Sequence, residues 1–164
     1  MSAARFNVVV TNRQRIKKID VRRLKQTAAS LLTETGVPFA ELGINLVTAD
    51  EMARVNQTFL NHEGPTDIIT FNHLNSEEGG VEPKGALYGE LFICIDEAVR
   101  QAQQFRTTWE SELVRYVIHG VLHLLGYDDL KPGLRRKMKR AENRLLRLLA
   151  AQYTSAVRVP RRRK

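Results

Sequence analysis

Cysteine is almost absent. Cys94 is the only one in 164 residues, so no intramolecular disulfide can form, which points to a reducing compartment. It sits within Leu91-Phe92-Ile93-Cys94-Ile95, where a buried, inert thiol is expected rather than a nucleophile. No apolar run approaches the length of a membrane span. Met1 to Arg5 lead straight into a strand pattern without a signal-peptide core. These absences exclude a disulfide scaffold and a membrane protein, and the expected location is the cytoplasm. Acidic residues are also short, 18 against 26 Lys and Arg, for a net charge of +8. That imbalance favours a polyanionic partner, nucleic acid ahead of anionic membrane. Aromatics make up only 7 %, which argues against base stacking as the main binding mode.

What remains is ordinary for a globular chain: 43 % hydrophobic and 27 % charged residues. The length suits one domain with a real core, expected over residues 1–152, followed by a basic and disordered tail over 153–164. Phe6–Val10 reads as a strand, and Asp20–Thr35 as an amphipathic helix capped by Asp20 and stopped by Gly36. Leu42–Thr48 reads as a strand, Asp50–Leu60 as a short helix and Thr66–Asn72 as a strand. Asn75–Gly85 reads as a loop and Leu87–Ile95 as a strand, after which Asp96 caps a helix to about Phe105. Thr107 and Glu110 form a capping-box pair before a fourth helix, and Pro132 opens a last one from about Lys131 to Ala151. The expected fold class is α+β: a small mixed sheet of about four strands packed with helices.

The chemistry concentrates in His119-Gly120-Val121-Leu122-His123, followed by Leu124-Leu125-Gly126-Tyr127-Asp128-Asp129. Residues four apart share one helix face, so two imidazoles so placed can hold one small metal ion. Gly126 ends the helix, because glycine takes the left-handed conformation cheaply. The chain can then turn back and offer a third ligand from Asp128 or Asp129. Two helical histidines plus a ligand after a turn is the plan of an open catalytic zinc site. Leu113, Val114, Val117, Ile118, Val121, Leu122, Leu124 and Leu125 make this helix apolar on most sides, so it should be central and lie against the sheet. Gly120 stands where a protein-cutting zincin has its general-base glutamate, which argues against peptide hydrolysis.

The last helix carries Lys131, Arg135, Arg136, Lys137, Lys139, Arg140, Arg144 and Arg147, with Glu142 as the only acid among them. Leu134, Met138, Ala141, Leu145, Leu148 and Leu149 form the expected buried stripe. The basic residues then share the outer faces, where a solvated surface would usually mix signs. Arg135, Arg136, Lys139, Arg140 and Arg144 are therefore the candidate RNA-contacting residues.

With these residues in view, the chain resembles the YbeY family of bacterial metal-dependent endoribonucleases, involved in rRNA maturation. The likeness spans roughly Val8 to Ala151 and is strongest in three segments: His119 to Asp128; Asn56-Gln57-Thr58-Phe59 with Pro65-Thr66-Asp67-Ile68-Ile69-Thr70-Phe71; and Tyr88-Gly89-Glu90-Leu91-Phe92-Ile93-Cys94. The resemblance implies a mixed sheet with surrounding helices and one zinc ion held by three histidines. Two of them match His119 and His123, and the third position, six beyond His123, is Asp129. A carboxylate is a competent zinc ligand, although its charge weakens the metal's Lewis acidity and favours harder ions. The competing role for Asp129 is to cap the following helix. The family also carries an arginine where this chain has Leu60, which cannot contact a phosphate; His62 is a nearby substitute or an exposed loop residue.

The resemblance implies single-strand RNA cleavage in late rRNA processing, at a Zn²⁺ held by His119, His123 and Asp129, with the ribosome or ribosomal proteins as partners. Asp67 and Asp128 are the candidate general bases, and Thr66 and Asp67 could equally brace the site. The alternative is a maturation factor of the same fold that binds RNA without cutting it.

Overall fold

The computed structural model describes residues 3–60, 66–73 and 84–154. The elements are β1 (Arg5–Asn12), α1 (Val21–Glu34), β2 (Phe39–Val47), α2 (Ala49–Val55), a π-helical turn (Asn56–Leu60), β3 (Ile68–Asn72), β4 (Leu87–Cys94), α3 (Ile95–Phe105), α4 (Trp109–Leu124) and α5 (Pro132–Thr154). The fold is α+β, with a four-stranded sheet in the order β1-β2-β4-β3. β1, β2 and β4 run parallel, and β3 closes one side antiparallel to β4.

Alternation along the strands sorts the sheet into two faces. Leu42, Ile44, Leu46, Leu87, Leu91 and Ile93 join the main core with α1, α4 and α5. Val47, Met52, Ile69 and Cys94 form a smaller cluster on the other face, beneath α2. The histidine helix α4 lies against β3 and β4, as its all-round apolarity predicts. Gly120 allows this close approach: a Cβ there would meet Ile68 Cδ1 and Leu91 Cδ2 at 2.7 Å each.

Several local expectations are corrected. The helix read as Asp50–Leu60 is α helix only to Val55 and then widens into the π turn. Asp96 does not cap α3: its carboxylate accepts the Ala49 amide and so starts α2, while the α3 cap Cys94 makes no side-chain bond. Thr108, not Thr107, caps α4 by accepting from the Ser111 amide at 3.1 Å, and the Thr107 hydroxyl instead donates to Glu112 Oε1 at 2.7 Å. On α5 the buried stripe is Met138, Glu142, Leu145, Leu149 and Tyr153, whereas Leu134 and Leu148 are 42 % and 53 % exposed. An acid therefore occupies the stripe where only apolar residues were expected. α5 also runs past Ala151 to Thr154, which puts Tyr153 into the core. Residues 155–164 of the basic tail, 75–83 of the loop and His62 lie outside the described residues.

Replacing Gly120 by alanine should destabilise the protein by about 1 kcal/mol, because overpacking outweighs alanine's better helix propensity. A lowered denaturation midpoint at constant slope would show this; an unchanged or raised midpoint would mean that the contact relaxes freely. Burial pushes the Cys94 thiol up to about 11. At pH 8 its reaction with a disulfide reagent should be about 100-fold or more slower than in the urea-unfolded chain. Comparable rates would contradict the buried assignment.

Candidate metal centre

The end of α4 sets the geometry. The Tyr127 amide donates to the Leu122 carbonyl and the Gly126 amide to the His123 carbonyl, both at 3.0 Å, with Gly126 at φ 99°. This Schellman closure reverses the chain directly after His123. The reversal brings the Tyr127 carbonyl to His123 Nδ1, at 3.1 Å. Asp128 then tightens the return, its Oδ1 accepting the Leu130 amide at 2.9 Å. The Asp129 carbonyl accepts from Arg135 Nε at 3.0 Å, which ties the loop to the first turn of α5.

The outcome is a three-donor cluster. His119 Nε2 and His123 Nε2 lie 3.1 Å apart. Asp129 Oδ2 is 3.8 Å from the first and 3.6 Å from the second. Donors bound at about 2.0–2.1 Å around a tetrahedral ion stand about 3.3 Å apart, so the cluster fits one such ion with little movement. His119, His123 and Asp129 are the group among the described residues whose donor atoms come close enough to share a metal.

The opposite ring nitrogens are both committed. His119 Nδ1 donates to Glu142 Oε2 at 2.9 Å, and His123 Nδ1 donates to the Tyr127 carbonyl. With Nδ1 engaged in this way, each ring turns its Nε2 toward the point that it shares with Asp129. Two ring nitrogens and a carboxylate facing one point make a donor set that a cation completes.

Glu142 is 4 % exposed and held by three groups. Its Oε1 accepts from Arg115 Nη1 at 2.6 Å and from Lys139 Nζ at 3.3 Å, while Oε2 takes the His119 bond. Burial alone would raise its pKa; the hydrogen bonds from His119 and Arg115, with the Lys139 charge, overcome this and hold it at about 2. It stays ionised as the acceptor that orients His119.

The remaining sequence candidates separate in space. Asp67 lines both clefts that flank the cluster, one with Arg115, Tyr116, Arg135, Lys139 and Glu142, the other with Leu60, Thr70 and His123. Its Oδ1 accepts the Ile68 amide at 2.8 Å and the Thr66 hydroxyl at 3.3 Å. Asp128 lines a different hollow, with Leu125, Tyr127, Leu134 and Lys137. Arg135 and Lys139 line one of these clefts, whereas Arg136, Arg140 and Arg144 stand exposed on α5 away from it. Glu142 and Arg115 escape sequence reasoning. The one signal for Glu142 is its position as a lone acid four residues after Met138, on the stripe that faces the core. Nothing in the sequence distinguishes Arg115 from other helical arginines.

Fold and cleft together define an α+β protein whose sheet-packed helix presents a three-donor pocket suited to a single metal ion. The chain belongs to the endoribonuclease YbeY family, whose model matches residues 9–150. It is 36 % identical over 141 residues to the endoribonuclease YbeY of Syntrophotalea carbinolica, covering 86 % of this chain and 92 % of that one. It is 38 % identical over 133 residues to that of Chlorobium phaeovibrioides, covering 81 % and 84 %. The solution structure of a Thermotoga maritima protein shares the fold with a TM-score of 0.62 at 23 % identity, over 96 % of this chain and all of that one.

Proposed function

We propose that the chain is a metal-dependent endoribonuclease that cuts single-stranded RNA, with rRNA of the maturing ribosome as substrate and the cytoplasm as its place of work. One observation carries the metal part of this reading. Both histidines have Nδ1 engaged, by Glu142 and by the Tyr127 carbonyl, and both Nε2 atoms converge on the Asp129 carboxylate. A cation completes that donor set, and Zn²⁺ suits it. The bound ion supplies a Lewis acid and a site at which water is activated near neutral pH.

The chain's own residues do the rest. His119, His123 and Asp129 leave one side of the cluster open toward the cleft. Asp129 contributes a negative charge that a histidine would not, which favours somewhat harder ions. Asp67, with Oδ1 held by Ile68 and Thr66, lines both clefts beside the cluster and is the carboxylate that we assign as general base. Asp128 serves as the bracket of the return loop. Arg135 and Lys139 border the cleft, and Arg136, Arg140 and Arg144 extend its positive field along α5 to hold the RNA backbone. Ribosomal partners follow from the substrate.

Wild-type protein should hold about one metal ion per chain and cut single-stranded RNA, and His123→Ala and Asp129→Ala should lose both. Glu142→Gln should weaken metal uptake about 10- to 100-fold by freeing the His119 ring. Competition with a chromophoric chelator, run beside a gel assay of RNA, checks all three. Metal-loaded protein that leaves RNA intact would defeat the nuclease reading, and full affinity in Asp129→Ala would remove Asp129 as a ligand.

Removing the charges of Arg136, Arg140 and Arg144 together should weaken binding of all single-stranded sequences alike. It should flatten the slope of log K against log salt by about 2, at about 0.7 per phosphate contact. An unchanged slope would place the RNA on another face.

A further inference from the structure

Among the described residues, no strand pairs with the outer side of β3 beside the cluster. β3 is the outer strand, and its register sets Ile68 against Ile93, Ile69 against Phe92 and Thr70 against Leu91. The Cys94 amide donates to the Asp67 carbonyl, and the His73 amide to the Tyr88 carbonyl. Bonded and non-bonded pairs alternate in an antiparallel ladder. Residues 67, 69, 71 and 73 therefore spend their backbone groups on β4, while Ile68 and Thr70 turn theirs outward. The Ile68 amide is closed by Asp67 Oδ1. The Thr70 amide and carbonyl meet no partner among the described residues.

That edge is one wall of a cleft of about 370 Å³, lined by Ile68, Ile69 and Thr70 together with Leu60, His119, His123 and Asp129. The volume falls within the roughly 300–1,000 Å³ usual for ligand sites. Exposed strand edges are commonly blunted by lysine, proline or a bulge. The segment Ile68-Ile69-Thr70-Phe71-Asn72 has none of these, so among the described residues nothing blunts the edge at Thr70. Leu60, 45 % exposed, presents an apolar surface to the same cleft.

We propose that this wall is a nucleobase subsite: the free amide and carbonyl of Thr70 hydrogen-bond the Watson–Crick edge of an unpaired base beside the cluster, and the base packs against Leu60. The inference rests on the nuclease reading and deepens it. One residue offering a donor and an acceptor in the same direction complements the adjacent acceptor and donor on the pairing edge of any of the four bases. The contact is thus indifferent to sequence but blind to paired bases, whose edges are already used. Single-strand preference then comes from the strand edge, while the basic helix supplies charge attraction common to all RNA. A polypeptide strand could add to the same edge; the net charge of +8 favours RNA.

The test uses the full chain and fluorescein-labelled single-stranded RNA, with affinity read by anisotropy beside cleavage on gels. Thr70→Pro deletes the outward amide, a substitution that an edge strand tolerates. It should lower affinity about tenfold while chelator competition shows unchanged metal uptake, and Thr70→Val, which keeps the amide, should restore binding. In wild type, N3-methyluridine in place of uridine, walked through the RNA, should cost about tenfold at one position, and clearly less in Thr70→Pro, which keeps the carbonyl but has lost the amide that seats the base. The methylated-base series also decides the matter if the proline variant does not fold. Equal affinity for uridine and N3-methyluridine at every position would overturn the subsite even where RNA is cut. If RNA is not cut but the coupling persists, the nuclease reading fails and the base subsite stands. An extended peptide that displaces RNA from wild type but does not bind Thr70→Pro would assign the edge to polypeptide and overturn the proposal.

Discussion

Two hydrogen bonds at Nδ1 govern the whole centre. Glu142 takes the proton side of His119, and the Tyr127 carbonyl takes that of His123. Each bond fixes ring orientation, so the two Nε2 atoms are held 3.1 Å apart. Without these partners the rings would rotate to avoid each other, and the third donor would find nothing to complete.

Holding the rings this way draws on distant parts of the chain. Glu142 comes from the middle of α5, buried against α4, and its charge is tolerable only because Arg115 and Lys139 satisfy it. The Tyr127 carbonyl is in reach because Gly126 permits the left-handed turn. The helix itself sits low on the sheet because residue 120 has no side chain. Packing of α4, α5 and the sheet is therefore inseparable from the arrangement of three donor atoms, and a core substitution far from solvent would be felt there.

Charge is divided by function along α5. Its inner face contributes one carboxylate to the cluster, and its outer face is almost wholly cationic. Arg135 and Lys139 stand between these roles: the first clamps the loop that carries Asp129, the second lies against Glu142, and both border the cleft. The other cleft beside the cluster is lined by the apolar Leu60 and the outer strand β3, so the two clefts differ in chemistry. A polyanion with flat apolar bases matches such a pair of clefts better than a uniformly charged ligand would.

Much of this was legible in the chain itself. Helical spacing gave His119 and His123 a common face, Gly126 announced the turn, and alternation and apolar runs marked the strands and the central helix, because these depend on local geometry alone. The resemblance to the family selected Asp129 over Asp128 as the third donor. Their separation in space followed only from the fold, in which an Asx turn at Asp128 leaves Asp129 pointing back. Glu142 read as a stray acid on a basic helix, because its meaning depends on a residue 23 positions away. The free edge of Thr70 was invisible in the same way: which backbone groups a strand leaves unpaired is set by register and sheet order. Local periodicity, then, determined the elements and the histidine pair; long-range packing alone decided which partners lock the rings, which aspartate completes the cluster and what lines the cleft beside it.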